Sequence, residues 1–136
     1  MAGQKSLQRL LRSLAPELVQ GEFVFCTFEN STYGDHAKLR PIAACMEVEG
    51  LTLVVPRTTA DDAGLTYEGV FRCITLGVHS SLEATGLTAE VAGKLAGHGI
   101  AANVIAAFYH DHIFVQAEKA QRAIGILLEY NDNTTP

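Results

Sequence analysis

Two histidines flank an aspartate in the segment FYHDHIFV, which runs from residue 108 to residue 115. A spacing of two would put the imidazoles of His110 and His112 on one face of a continuous strand. Imidazole is a common metal ligand, and its unperturbed pKa of about 6.5 suits acid–base catalysis near neutral pH. A stable zinc site needs at least a third protein ligand, for which the candidates are His79 and Asp111. The triplet therefore admits three interpretations: a structural hairpin, contact with a small ligand, or a metal site.

The sequence on either side of the triplet favours the hairpin. The flanking apolar runs ANVIAAFY and HIFVQ are typical of two strands, so the chain must reverse direction between them. Aspartate adopts turn conformations readily, and its side chain can accept hydrogen bonds from nearby backbone N–H groups. Because turn chemistry explains Asp111 without a metal, we predict no metal and no cofactor.

The segment HSSLEATG, residues 79–86, is the second candidate site. Ser80 and Glu83 have the spacing of a capping box, which would begin a helical turn. Alternatively, the hydroxyls, the glycine and the start of the following helix present N–H groups to an anion, such as the α-carboxylate of an amino acid. Glu83 or Asp111 could then meet the ammonium group. Both interpretations remain open.

Motifs of several enzyme classes are missing from the sequence. No G-x-S-x-G elbow surrounds Ser80 or Ser81, so neither serine is marked as a nucleophile. The chain has no G-x-x-x-x-G-K-[ST], no G-x-G-x-x-G after a strand and no H-E-x-x-H. These absences argue against nucleotide binding and against a zinc protease.

Length and composition describe an ordinary globular chain. Its 136 residues suffice to bury a core, and 48% of them are hydrophobic and 18% charged. The net charge is −5 and the ten lysines and arginines are dispersed, so we expect no nucleic-acid partner. No apolar run approaches the roughly 20 residues that span a bilayer, and we expect no signal peptide and no membrane partner. Cys26, Cys45 and Cys73 suit buried thiols in a reducing compartment, which indicates a soluble cytoplasmic protein.

Hydrophobic periodicity predicts four helices and six strands. The predicted strands are residues 23–28, 42–49, 51–55, 71–78, 103–109 and 112–116. The first predicted helix is capped by Ser6, and its core stripe is Leu7, Leu10, Leu11 and Leu14. The second begins at Thr58 or Thr59 and is closed by Gly64. The third follows Thr88 and has Leu87, Val91 and Leu95 on one face, and the fourth has Ala120, Ile124, Leu127 and Leu128 on one stripe. The polar segment ENSTYGDHAKLRP, residues 29–41, is typical of a surface loop.

The two halves of the chain repeat in order. Each half contains a helix, two strands and a second helix. In the first half these are the leucine-striped helix, EFVFCTF, LTLVVPR and TTADDAG, and in the second half they are TAEVAGKLAGHG, ANVIAAFY, HIFVQ and AEKAQRAIG. With the preceding strand FRCITLGV, the second half follows the pattern β-α-β-β-α, which is most of a ferredoxin-like motif. We therefore predict an α+β fold of two ferredoxin-like modules of the βαββαβ type in tandem, with antiparallel sheets and helices packed on one face.

Residues 68–128 resemble an ACT domain, and specifically a small bacterial ACT-like family with a VHSSLEA-x-GLTA run and a YYHDHIFV-like hairpin. ACT domains open with a strand, a glycine-containing loop and a helix that ends in a Gly-Ile step, and Val78, Gly86 and Gly99-Ile100 stand at those points. His79-Ser80-Ser81 replaces the acidic residue that commonly begins the loop. We predict a C-terminal ACT domain at residues 68–136 and a more loosely matching ACT-like half at residues 1–67.

The resemblance implies a regulatory protein that binds an amino acid or a similar small effector at an interface between modules. It also implies a partner, either a second copy of the chain in a homodimer or an enzyme that the protein regulates. The loop and the hairpin supply the predicted ligand-binding residues, which are His79, Ser80, Ser81, Leu82, Glu83, Gly86, Leu87, Asn103, Val104, His110 and Asp111.

Two other functions stay open at this point. The chain could be a small enzyme that uses His79, His110, Asp111 or His112 for acid–base chemistry, or a structural partner without a ligand. No catalytic segment or nucleophile motif accompanies the ACT-like sequence, so we predict no catalytic residues and favour the sensor.

Overall fold

A computed structural model describes residues 2–79, 81 and 85–132, and the side chains of residues 2–6 and 132 lie outside that description. The helices are α1 (Ala2–Arg12), α2 (Arg57–Asp62), α3 (Leu87–Gly97) and α4 (Ala120–Asp132). The strands are β1 (Pro16–Leu18), β2 (Phe23–Phe28), β3 (Ala43–Glu47), β4 (Gly50–Pro56), β5 (Phe71–Leu76), β6 (Asn103–Ala106) and β7 (Asp111–Gln116), and short 3-10 turns span Ala37–Leu39 and Ala117–Lys119. The predicted α+β class with antiparallel strands is confirmed.

The chain divides into two compact units that do not follow its sequence halves. Residues 21–71 form one unit, and residues 1–20 join residues 72–136 in the other. A unit defined by contacts need not coincide with a module defined by sequence, so the predicted boundary between residues 67 and 68 stays a prediction.

The N-terminal segment enters the larger unit through β1, which the sequence analysis missed. β1 pairs antiparallel with β5, and Pro16 lies opposite Leu76. Beyond β5, the N–H of Gly77 donates to the carbonyl of Ala15 at 2.9 Å. A Cβ atom on Gly77 would lie 2.9 Å from the Cβ of Ala15, so the close approach of the two backbones requires glycine. The helix α1 ends at Arg12, and Pro16 begins β1 four residues later.

The leucine stripe of α1 is only partly buried. Leu7, Leu10 and Leu11 pack against the core at intermediate exposure, whereas Leu14, beyond the end of the helix, is fully buried. α1 contacts α3 and α4, so the prediction that all four leucines are buried against the sheet is wrong. The predicted cap at Ser6 is also wrong, because α1 begins at Ala2 and Ser6 lies within it.

The other two long helices complete the core of the larger unit. α3 buries Leu87, Val91 and Leu95, the three positions that its periodicity predicts. Of the stripe predicted for α4, Ala120 and Leu127 are buried and Ile124 packs against the core at partial burial; the helix also buries Ala123, Ile126 and Tyr130. Leu128 is 41% exposed, so its inclusion in the predicted stripe is wrong.

The smaller unit contains a three-stranded antiparallel sheet with the spatial order β3-β4-β2. β2 pairs antiparallel with β4, and β4 pairs with β3. Its core consists of Val24, Cys26, Leu51, Leu53, Val55 and Ala60. Between β2 and β3 the segment 29–41 forms turns and the 3-10 turn at Ala37–Leu39, in agreement with the predicted loop.

The three cysteines do not share one environment. Cys26 and Cys73 are buried, and desolvation raises the pKa of both thiols. Cys45 is exposed on β3, so the prediction that all three thiols are buried is wrong for this residue. Four of the five residues of β3 are exposed, whereas β2 and β5, which carry Cys26 and Cys73, each contain three buried positions.

Leu14 and Leu11 provide a matched pair for the core of the larger unit. We expect Leu14→Ala to lower the free energy of unfolding by about 2 to 5 kcal/mol, because it removes a fully buried leucine and leaves a cavity. Leu11→Ala should cost clearly less, because the side chain is partly exposed. Chemical denaturation of both variants measures the difference. Equal losses would contradict the burial described for the two leucines.

Candidate ligand site beside the β6–β7 hairpin

The HDH triplet lies where β6 turns into β7, as the sequence predicts. In the hairpin register Ala106 lies opposite Asp111 and Ile105 lies opposite His112. The N–H of Ala107 donates to the carbonyl of His110 at 3.1 Å, which closes the connecting loop. His110 therefore lies in the loop, while Asp111 and His112 are the first two residues of β7.

His112 is held by a neighbour on β5. Its Nδ1 atom lies 2.8 Å from the hydroxyl oxygen of Thr75, and the ring is half-buried. Desolvation lowers the pKa of His112, repulsion from His110 lowers it further, and the carboxylate of Asp111 partly offsets both. The neutral imidazole is thus favoured at neutral pH, and one of its two nitrogens is already used within the fold.

The loop of the hairpin meets the segment that leaves β5. The Nδ1 atom of His110 lies 3.4 Å from the carbonyl oxygen of Val78, and the ring centroids of His79 and Tyr109 are 5.4 Å apart. The rings of Phe108 and Tyr109 are 71% and 62% exposed. The structure therefore brings His79 and His110 together beside two exposed aromatic rings.

Tyr109 is the residue that sequence reasoning missed at this site. Its ring lies near those of both His79 and His110, with centroid distances of 5.4 and 6.4 Å. The signal was present in the sequence, because aromatic residues beside a polar turn are candidates for an exposed contact surface.

The loop before α3 is described only in part. Ser80, Leu82 and Glu83 lie outside the described residues, and so does the capping box predicted for Ser80 and Glu83. Ser81 is exposed. Gly86 has a φ of +99°, its carbonyl accepts the N–H of Glu90 at 2.9 Å, and α3 begins at the next residue.

The remaining predicted residues are parts of the fold. Leu87 is buried in the core and Val104 packs against it, so a ligand could meet Leu87 only at its backbone. The side-chain amide of Asn103 donates to the carbonyl of Phe114 at 3.3 Å across the hairpin.

The described residues offer no ready metal centre. Within residues 2–79, 81 and 85–132, no three His, Cys, Asp or Glu side chains are placed so that they could hold one metal ion. The absence of a bound metal stays a prediction. In the same part of the chain, no helix is both long and apolar enough to cross a membrane.

The fold and the sequence identify the class of protein. Two family models, each described as an ACT domain, match residues 2–72 and 68–129. The chain belongs to the ACT domain family and contains two such domains of ferredoxin-like fold in tandem, which confirms the predicted resemblance and fold. Because ACT domains are regulatory modules, family membership supports a regulatory, ligand-binding role.

Solved structures agree with this assignment. A Vibrio cholerae protein of unknown function, described as a possible transport protein, is 55% identical, with 95% of this chain and 98% of that chain covered and a TM-score of 0.86. An Agrobacterium tumefaciens protein is 15% identical, with 86% and 88% covered and a TM-score of 0.71. The regulatory subunit of aspartate kinase from Thermus flavus is 11% identical, with 85% and 96% covered and a TM-score of 0.63. The last two similarities show the fold alone, and no curated protein matches the chain.

The pKa of His112 can be tested by an NMR titration of its ring protons. Since folding lowers this pKa, stability linked to the neutral ring is present above the unfolded value of about 6.5 and is lost as the pH falls through the folded value. His110→Gln should raise the pKa of His112 by removing a repulsive charge, and Asp111→Asn should lower it further. Titration of His112 above the value of a free imidazole would contradict the desolvated environment.

Proposed function

We propose that the chain is a non-catalytic regulatory protein that binds an amino acid beside the β6–β7 hairpin. The observation that carries the proposal is the meeting of the hairpin loop with the segment after β5, where the Nδ1 atom of His110 lies 3.4 Å from the carbonyl oxygen of Val78. At this junction the rings of His79 and His110 lie near the exposed ring of Tyr109, in the part of the chain that belongs to the second ACT domain.

The two ends of an amino acid need partners of opposite character. Its carboxylate would accept hydrogen bonds from Ser80, Ser81 and backbone N–H groups at the start of α3, where the helix dipole favours negative charge. Asp111, half-buried at the start of β7, is the acceptor for the ammonium group. Burial of either charge without such a partner would be costly, so both ends contribute to selection.

The remaining predicted residues have supporting parts in this proposal. His79, His110 and Tyr109 offer rings against which the side chain of the ligand can rest. Glu83 is a second candidate for the ammonium group, and Leu82 continues the loop that carries the serines. Gly86 and Leu87 contribute backbone at the start of α3, while Asn103 and Val104 hold the adjoining strand in place.

The structure gives less support to the alternative that the chain is a small enzyme. Thr75 and the carbonyl of Val78 account for the orientation of His112 and His110 without a substrate. We therefore propose no catalytic residue.

A regulatory protein without catalytic residues must act through a partner. The Thermus flavus neighbour is a regulatory subunit of aspartate kinase, which is a precedent, by fold alone, for an ACT protein that serves an enzyme. We propose that this chain acts on an enzyme or on a second copy of itself, in the cytoplasm, where its three free cysteines stay reduced.

A thermal-shift screen with the standard amino acids, followed by titration calorimetry of any ligand found, tests the proposal. We expect Ser81→Ala and Asp111→Asn to weaken binding by about tenfold or more, because charge-assisted hydrogen bonds contribute about 1.5 to 3 kcal/mol. Asp62→Asn, an exposed change on α2, is the matched control and should leave the affinity unchanged.

Two outcomes would contradict the proposal. Wild-type affinity in both site variants would show that the site is wrong. If no amino acid bound at millimolar concentration, a structural partner without a ligand would be the better function.

A further inference from the structure

The smaller unit contains a pocket that the proposed amino-acid site does not use. Its volume is about 330 Å³, at the lower end of the range of about 300–1,000 Å³ that ligand pockets occupy. It lies between the loop before β3 and the strands β3 and β4, and we name it the loop pocket. Its lining residues are Tyr33, Gly34, His36, Ala37, Arg40, Pro41, Ala44, Leu51 and Leu53.

One wall of the loop pocket is apolar. Leu51 and Leu53 on β4 belong to the core of the unit and are buried, and Ala44 and Pro41 continue the same surface. These side chains can enclose a small hydrocarbon body but can form no hydrogen bond with it. Specificity must therefore come from the polar residues on the loop.

His36 is held in a fixed orientation at the edge of the loop pocket. Its ring stacks on that of Phe28, with centroids 3.9 Å apart and an interplanar angle of 25°. Its Nε2 atom lies 3.0 Å from the hydroxyl oxygen of Ser31. Within the described part of the chain, no polar contact engages the Nδ1 atom, so one nitrogen of an ordered ring is available to a ligand.

Tyr33 is anchored in the same manner. Its hydroxyl oxygen accepts the backbone N–H of Met46 at 3.0 Å, which ties the loop to β3. The carboxylate of Asp35 accepts the N–H of Thr32 at 2.8 Å and closes the turn between them. The hydroxyl proton of Tyr33 remains a possible donor.

Arg40 supplies the charge. Its backbone is in the left-handed region, with φ +54°, and its N–H donates to the carbonyl of Ala37 at 3.0 Å, so it ends the 3-10 turn. Among the described residues, its guanidinium forms no hydrogen bond and no ion pair, unlike that of Arg57, which pairs with Glu22 at 2.9 Å. A guanidinium presents its donors in a planar fork that matches a carboxylate.

The lining contains no carboxylate to balance a second, positive group. Asp35, the acidic residue next to Gly34, is not part of the lining and already accepts the N–H of Thr32. An ammonium group placed here would meet the like charge of Arg40 and would have no acidic partner in the lining. The loop pocket is therefore suited to an anion with an apolar body and unsuited to a zwitterion.

From these contacts we propose that the loop pocket binds a small organic carboxylate that lacks an α-ammonium group, such as a branched 2-oxo acid. The carboxylate pairs with Arg40, the second oxygen function accepts from Tyr33 or meets His36, and the hydrocarbon body lies against Ala44, Leu51 and Leu53. This site is independent of the proposed amino-acid site, because all of its residues belong to the smaller unit.

Titration calorimetry with three related probes tests the chemistry of the ligand. 4-Methyl-2-oxopentanoate should bind the wild-type chain, whereas leucine, in which an ammonium group replaces the 2-oxo group, and 4-methyl-2-oxopentanamide, which keeps the 2-oxo group but removes the charge, should bind at this site at least about tenfold more weakly. Leucine must be titrated into Asp111→Asn as well, because this variant isolates the loop pocket from the proposed amino-acid site.

Variants of the lining test the location. Arg40→Gln should weaken binding of the oxo acid by about tenfold or more, and Ala44→Leu should abolish it by filling the pocket. Arg122→Gln, an exposed arginine on α4, is the matched control and should bind as the wild type does. Circular dichroism checks the fold of each variant, and Arg40→Gln decides the question if Ala44→Leu does not fold.

Three results would overturn the proposal: no binding of the oxo acid at millimolar concentration, wild-type affinity in Arg40→Gln, or equal binding of leucine in the Asp111→Asn background. Failure of the proposed amino-acid site would be a separate result. In that case Asp111→Asn would bind the amino acid as the wild type does, while Arg40→Gln would still lose affinity for the oxo acid.

Discussion

The pairing of β1 with β5 is the interaction on which the larger unit depends. Three residues on each strand form the pairing, and the hydrogen bond between Gly77 and Ala15 continues it past the end of β5. It places Leu14 in the core, where no part of its side chain is exposed, although the leucine precedes most of that core by some sixty residues of sequence. The same pairing fixes the direction in which the chain leaves β5, and therefore the position of Val78 beside the hairpin loop.

Much of the fold could be predicted, because local patterns carry most of it. The strand at residues 23–28, the β6–β7 hairpin and the buried stripe of α3 follow from alternation and helical spacing. β1 could not be predicted, since three residues that begin with proline have no period of their own and become a strand only against β5. The stripe of α4 was predicted only in part, because Ala123 and Tyr130 reach the core by tertiary packing that a hydropathy count does not reveal.

The candidate sites differ in how far sequence could anticipate them. His79 and His110 were identified by residue type, but Tyr109 gains its importance from its ring contacts with both of them, which only the structure shows. The loop pocket was not anticipated at all, because residues 29–41 have the composition of an ordinary polar loop. Its character comes from Phe28 stacking on His36 and from a left-handed Arg40, which are tertiary and backbone features. The two proposed sites thus differ in the chemistry expected of their ligands, an amino acid beside the hairpin and a carboxylate without an ammonium group in the loop pocket.

Chemical-shift mapping of the isotope-labelled chain with its best amino-acid ligand tests the central claim most directly. We expect the largest changes in backbone amide shifts in residues 77–87 and 107–112, the two segments that meet at the contact between His110 and Val78. The amides of residues 33–41 in the smaller unit should change little. Changes concentrated in the smaller unit, or spread evenly over the chain, would contradict an amino-acid site beside the hairpin.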